Sequence, residues 1–112
     1  MDFKKQKPIY LQIADRLMER ILGGELVEDD RMPSVRDVAA ELGVNPNTVM
    51  RTFDFLQGQD IIYNRRGVGY FVAADARGKI LAAHRREFLE EELPLIRARM
   101  QMLGIDARTL FE

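Results

Sequence analysis

A helix stop and a helix start follow one another at residues 43–46, and this arrangement constrains the fold of the chain most. Gly43 is predicted to end one helix, because glycine is the usual residue just beyond a helix C-terminus. Asn45 is a strong N-cap for the next helix, and Pro46 occupies the first helical position, where proline is best tolerated. The two helices are therefore joined by a tight turn, as in a helix-turn-helix.

Both predicted helices are amphipathic. The first begins at Ser34, whose hydroxyl precedes the carboxylate of Asp37 at capping-box spacing. Apolar residues recur at helical spacing, at Val35, Val38, Ala39 and Leu42 in the first helix and at Val49, Phe53 and Leu56 in the second. Asn47, Thr48 and Arg51 occupy the first two turns of the second helix, and Asn47 and Arg51 lie opposite its apolar face.

After Gly58 the pattern changes from helical to strand-like. Residues 61–65 and 70–72 are rich in β-branched and aromatic side chains, and glycines lie between them, so a hairpin is predicted. Its tip is rich in arginine. A cation such as Arg66 at this tip suits the narrow, electronegative minor groove of DNA, so the hairpin is interpreted as the wing of a winged helix.

These elements together predict a DNA-binding surface. The N-terminal turns of the second helix of a helix-turn-helix enter the major groove, where asparagine pairs with adenine and arginine with guanine. The predicted DNA contacts are Ser34, Arg36, Asn45, Asn47, Thr48, Arg51, Arg65, Arg66 and Gly67. Net charge argues in the opposite direction, because 17 lysines and arginines are balanced by 18 acidic residues. A winged helix that contacts another protein is therefore the alternative, and DNA binding is expected to be sensitive to salt.

Four motifs resemble the winged helix-turn-helix of the GntR family of bacterial transcription regulators, and the order of elements resembles its YtrA-type branch. They lie at residues 8–10, 32–36, 44–49 and 67–72. The chain departs from the branch at Thr52-Phe53, where alanine and tyrosine are usual, and at Gln59-Asp60, where glycine and a hydrophobic residue are usual. It also has Met50 where some relatives place a DNA-contacting arginine.

The resemblance implies a mainly α fold with a small β-hairpin, in which a winged helix-turn-helix precedes a short C-terminal helical dimerisation segment. It also implies a sequence-specific transcription regulator, expected to be a repressor, that binds a double-stranded DNA operator in the bacterial cytoplasm.

Residues 74–112 are predicted to form a helical tail after a DNA-binding domain of residues 1–73. An apolar stripe runs along the tail from Ile80, and Pro94 is expected to cause a kink or a break close to Leu93. The predicted dimerisation residues are Leu81, Phe88, Leu89, Leu93, Ile96, Met100 and Leu103. So short a segment rarely folds alone. We therefore expect a homodimer whose two recognition helices bind an inverted repeat.

Other segments are given supporting roles. A helix from Pro8 to the glycines at 23 and 24 is predicted as scaffold, and the acidic loop at 25–30 should lie away from phosphate. Residues 1–7 are predicted to be a loose, solvated arm that carries lysines. Met50, Met100 and Met102 stand at helical positions and are interpreted as packing residues rather than as the lining of a cofactor pocket.

Several classes of function are disfavoured. There is no cysteine and no long apolar run, so neither thiolate sites nor a membrane span is expected. His84, Glu87 and Glu91 could share a helix face, but a solvated face is favoured over a metal site because no second histidine exists. No nucleophile and base suggest an enzyme, and no cofactor is expected. A small-molecule effector is left open, although two copies of the tail would be needed to enclose it.

Overall fold

The computed structural model describes residues 7–111, and these residues form two compact units. The N-terminal unit is Lys7–Leu81, and the C-terminal unit contains residues 82–111. Except for Lys7, the predicted N-terminal arm lies outside the described residues. The ammonium group of Lys7 is 3.0 Å from the carboxylate of Asp15 in the first helix.

Three helices begin the N-terminal unit, namely α1 (Ile9–Leu22), α2 (Val35–Leu42) and α3 (Pro46–Gly58). The Ser34 hydroxyl accepts a hydrogen bond from the Asp37 N–H at 3.0 Å, and Asn45 Oδ1 accepts one from the Asn47 N–H at 2.8 Å. Between the helices, Gly43 has a φ of 68°, which is the left-handed conformation that favours glycine. The predicted stop and start at residues 43–46 are therefore confirmed, and α1 and α2 both pack against α3.

Two antiparallel strands, β1 (Ile62–Arg65) and β2 (Gly69–Val72), form the predicted hairpin, which we call the wing. Ile62 pairs with Val72 at its base and Arg65 with Gly69 at its tip. The turn between the strands is closed by a hydrogen bond from the Val68 N–H to the Arg65 carbonyl at 2.9 Å. Among residues 7–111, the fold is thus mainly helical with one small hairpin, as predicted.

The acidic loop before α2 is attached to the wing, which sequence reasoning did not predict. The Asp29 N–H donates to the Val72 carbonyl, and the Val72 N–H donates to the Asp30 carbonyl, both at 2.9 Å. The Met32 N–H donates to the Tyr70 carbonyl at 2.8 Å. Residues 29–32 therefore line the outer edge of β2 and occupy backbone groups that would otherwise be unpaired.

The core of the N-terminal unit gathers apolar side chains from all three helices, the wing and the start of the next helix. This helix, α4 (Ala76–Glu87), contributes Ala76 and Ile80, which are both buried in the core. The compact unit consequently extends past the predicted domain boundary at residue 73. Ile80 belongs to this core and is wrongly assigned to the apolar stripe of the tail.

The helical C-terminal unit continues through the residues before Pro94 without a break. After α4 the backbone forms a π-helical turn at Phe88–Glu92, followed by α5 (Leu93–Leu103). Proline has no amide hydrogen and crowds the carbonyl of the preceding turn. The π-helical turn, which is wider than an α-helical one, ends directly before Leu93, where the helix was expected to kink or break. Gly104, with a φ of 70°, ends α5, and a short α6 (Ala107–Leu110) follows.

Within residues 7–111, no helix is long and apolar enough to cross a bilayer. No group of three or more histidine, cysteine or acidic side chains in the same range is arranged to hold a metal ion.

Candidate nucleic-acid interface

The helix α3 has one fully buried face and one exposed face. Val49, Thr52, Phe53 and Leu56 are each 0% exposed. Asn47 and Arg51 lie on the exposed side, and Thr48 is half-buried between the two faces. The helix is therefore fixed to the core along one side and presents polar side chains from its first two turns on the other.

The start of α3 is held by its own cap. Because Asn45 Oδ1 accepts the Asn47 N–H, the side-chain amide of Asn45 keeps its N–H donors for another acceptor. Pro46 follows at the first helical position. These contacts fix the backbone from which Asn47 and Thr48 project, which is what reading a base edge requires.

Arg51 does not project freely from α3. Its guanidinium carbon lies 4.1 Å from the centroid of the Tyr10 ring, which belongs to α1. The Thr52 hydroxyl, next in the chain, donates to the Tyr10 carbonyl at 2.7 Å. The predicted base-reading arginine is thus supported by the first turn of the helix that sequence reasoning treated only as scaffold.

The N-terminus of α2 also carries exposed polar side chains. Ser34 and Arg36 are exposed, and the Ser34 hydroxyl, which accepts the Asp37 N–H, can still donate its own hydrogen. Among residues 7–111, the side chain of Arg36 has no hydrogen-bond or ion-pair partner. Both side chains are thus available to phosphate oxygens.

The wing tip is shaped by contacts on both sides of its turn. Arg65 lies over the Phe71 ring at 5.1 Å, whereas Arg66 has no hydrogen-bond or ion-pair partner in the described part of the chain. The Arg31 guanidinium donates to the Val68 carbonyl at 2.8 Å. Gly67 has a φ of 78°, which keeps the turn tight without a side chain at this point. The turn therefore holds its shape while the Arg66 side chain extends into solvent.

Two tyrosines of the wing have raised pKa values. The pKa of Tyr63 is raised chiefly because its hydroxyl donates to Asp29 at 2.9 Å, which stabilises the protonated phenol. Burial, and secondarily the charge of Asp54, raises the pKa of Tyr70. Both shifts move an already high pKa upward, so both phenols stay neutral at neutral pH. The charge of the exposed tip therefore comes from its arginines.

Two side chains that make long-range contacts were missed by sequence reasoning, and two methionines were misjudged. Tyr10 supports Arg51, and Arg31 supports the wing turn, in each case across a long separation in sequence. Met50 is 40% exposed on α3, and Met102 in the C-terminal unit is 84% exposed. These two side chains therefore do not pack in a core of the single chain, whereas Met100 is half-buried, and Met50 lies on the exposed face of α3.

The C-terminal unit has no buried side chain among residues 82–111. Leu81, Phe88, Leu89 and Leu103 are exposed, and Leu93, Ile96 and Met100 are half-buried. Leu89, Leu93 and Pro94 line a shallow groove together with Arg97 and Ala98. The predicted dimerisation residues are therefore left with apolar surface that the single chain does not cover.

Three comparisons place these features among known proteins. A family model described as bacterial regulatory proteins, gntR family, matches residues 9–72, from the first residue of α1 to the last residue of β2. The uncharacterised HTH-type transcriptional regulator YhcF of Bacillus subtilis is 37% identical over 110 residues, which cover 98% of this chain and 89% of YhcF. The HTH-type transcriptional repressor YtrA of the same organism is 31% identical over 107 residues, which cover 96% of this chain and 76% of YtrA. The crystal structure of a GntR-family transcriptional regulator from Bacteroides thetaiotaomicron superposes with a TM-score of 0.78 at 45% identity, covering 92% of this chain and 89% of that one.

Proposed function

The chain belongs to the GntR family of bacterial transcription regulators, and from this membership we propose that it represses transcription by binding an inverted-repeat operator as a homodimer. Its relatives make it a DNA-binding regulator rather than an enzyme. The observation that carries the proposal is the orientation of α3, whose opposite face is completely buried while Asn47 and Arg51 point outward from its first two turns.

In the proposed complex, the start of α3 lies in the major groove. Asn47 is suited to pair with adenine and Arg51 with guanine, because each side chain can form two hydrogen bonds to the edge of that base. Ser34, Arg36 and the amide of Asn45 are assigned to the phosphate backbone, where they set the position of the helix without reading sequence. Thr48 is half-buried between the two faces of α3, so it is assigned either to base reading or to phosphate contact.

The wing is proposed to lie in the adjacent minor groove. Arg66 has no partner within residues 7–111, and Gly67 lets the backbone of the turn approach the DNA closely. Arg65 is directed along the strand by the Phe71 ring and is assigned to a flanking phosphate. Shape and charge, rather than base edges, would then determine what the wing senses.

The C-terminal unit is proposed to form the dimer contact. Its support is that no side chain of residues 82–111 is buried although several large apolar ones are present. A two-fold dimer would cover these side chains with their own copies.

We place the regulator in the cytoplasm, where the bacterial DNA lies. The assignment as a repressor follows the relative YtrA, which is described as a transcriptional repressor, and a small effector would have to bind where two copies meet.

A winged helix that binds another protein is the second candidate, and the balanced charge of 17 basic against 18 acidic residues favours it. Salt dependence separates the two functions. Binding to DNA fragments selected from a random pool should weaken with salt, with a log-log slope of about −0.9 for each phosphate neutralised. Failure of the random pool to yield any retained sequence, or weak retention that does not change with salt, would favour the protein-binding function.

Matched arginine variants make the titration more specific. Replacing Arg36 or Arg66 by alanine should reduce the steepness of the salt slope by about one unit each, since each removes one phosphate neutraliser. Arg16→Ala, on the exposed side of α1 and outside the proposed surface, should leave the slope unchanged. Equal effects of all three variants would contradict the assigned surface.

A further inference from the structure

Arg51 is held by an aromatic face, and no acidic side chain of residues 7–111 pairs with it. The 4.1 Å between its guanidinium carbon and the Tyr10 ring centroid is well within the range of about 6 Å for a cation–π contact. Stacking uses the flat face of the guanidinium and leaves the N–H donors at its edge free. A carboxylate partner would have occupied those donors.

The Tyr10 ring is itself fixed to the helix that carries Arg51. The ring of Phe55, on α3, meets it edge-on at 6.4 Å with an interplanar angle of 77°. The Thr52 hydroxyl, also on α3, donates to the Tyr10 carbonyl at 2.7 Å and is 0% exposed. Both the ring and the backbone of Tyr10 therefore contact residues of α3, which lie one and four positions after Arg51.

We propose that Tyr10 is a positioning residue that sets the base preference of Arg51 by stacking beneath its guanidinium group. The proposal rests on the assignment of α3 to the major groove. A bidentate contact with guanine requires the plane of the guanidinium to be aligned with the base edge. An arginine already held in one plane loses less conformational freedom on binding, so the preference for its base is greater.

A purely structural role of Tyr10 predicts something different. If the ring only filled space between α1 and α3, its loss would lower stability and weaken binding to every DNA sequence by the same factor. A positioning role changes the ratio of affinities for operators that differ at the single base pair read by Arg51. This ratio is insensitive to the fraction of unfolded protein, because unfolded protein binds neither operator.

The experiment measures this ratio with the full chain and an operator selected from random DNA, together with single-base variants of it. Arg51→Ala should lower discrimination at one position per half-site by about 5- to 150-fold, the range for a good bidentate pair. Tyr10→Leu should lower discrimination several-fold at that same position and change it little at the other positions. Tyr10→Phe, which keeps the ring, should retain the discrimination. In the Arg51→Ala background, Tyr10→Leu should have no further effect at that position.

Arg51→Lys offers a test that leaves Tyr10 and its contacts with Phe55 and Thr52 in place. Lysine keeps the charge but has no flat group to stack, so it should lose discrimination at the same position. Unchanged discrimination in Tyr10→Leu, or a uniform loss of affinity for all sequences, would overturn the proposal. If Arg51→Ala itself left every base preference unchanged, the assignment of α3 to the groove would fail, and this inference would fail with it.

Discussion

Arg66 and Arg51 are both exposed arginines, but their surroundings differ. Arg66 extends from the wing turn without a partner among residues 7–111, whereas Arg51 is stacked on Tyr10. A free cation near a groove contributes charge to any sequence, and an oriented one contributes to a particular base. The two arginines should therefore influence affinity and specificity separately.

Alanine variants of these residues test this difference. Arg66→Ala should weaken binding to all operator variants with little loss of sequence preference. Arg51→Ala should relax the preference at one base position in each half-site, because its partner base is no longer read. Both variants would be measured on the same panel of single-base operator changes. If the two affected the panel equally, the division of roles would be wrong.

The turn between α2 and α3 depends on a backbone conformation more than on contacts. Gly43 has a φ of 68°, and a β-carbon added there would meet no atom within 4 Å. Gly43→Ala should consequently lower the free energy of unfolding by about 1 kcal/mol, entirely through the strained left-handed conformation. Urea unfolding would measure the change.

Gly58, at the end of α3, provides the matched control. It also has open space for a β-carbon, but its φ is not positive. Alanine there should leave stability unchanged or raise it by up to about 1 kcal/mol, because glycine is a poor helix former. Destabilisation of the same size by both substitutions would show that the turn is not the cause.

The parts of this fold that could be predicted are those with local signals. Ser34, Gly43 and Asn45 act within a few residues of their own position, so the ends of α2 and α3 are determined by short stretches of sequence. The wing could be recognised from its β-branched and aromatic residues and from the glycines between them. The exposed polar face of α3 follows from helical periodicity alone.

The parts that could not be predicted depend on contacts between distant residues. Arg31 meets the Val68 carbonyl across 37 positions, and Thr52 meets the Tyr10 carbonyl across 42. Neither partner carries a mark of the contact in its own neighbourhood, because a backbone carbonyl is present at every residue. The pairing of residues 29–32 with the wing could not be predicted either, since this acidic loop has no strand-like pattern in its sequence. Ile80 has the spacing of the tail stripe, and only the packing shows that it belongs to the other unit.

At the scale of the whole molecule, the apolar surface of the C-terminal unit supports a dimer. Replacing Leu93 or Ile96 by glutamate should convert the dimer into monomers, because an unpaired charge would be buried in an apolar contact. Met102→Glu is the control, since Met102 lies outside the predicted stripe and is 84% exposed. Sedimentation velocity would give the masses. A dimer that survives the first two changes would place the contact elsewhere.

The proposed dimer also predicts how half-sites must be spaced. Inserting about five base pairs between them should weaken binding far more than inserting about ten, because half a helical turn moves the second site to the opposite face of the duplex. A gel-shift series would compare the two. Equal losses would indicate independent monomers or a flexible dimer.

The burial of Ala76 and Ile80 also limits when the N-terminal unit can finish folding during synthesis. α1 is made first, yet its buried residues share a core with side chains that follow the wing. When only α1, α2 and α3 have emerged from the ribosome, the apolar side chains of this core are still exposed to solvent. Domains generally fold as units as they emerge, so the helices that are made early must wait for Ile80 before they are fully protected from aggregation.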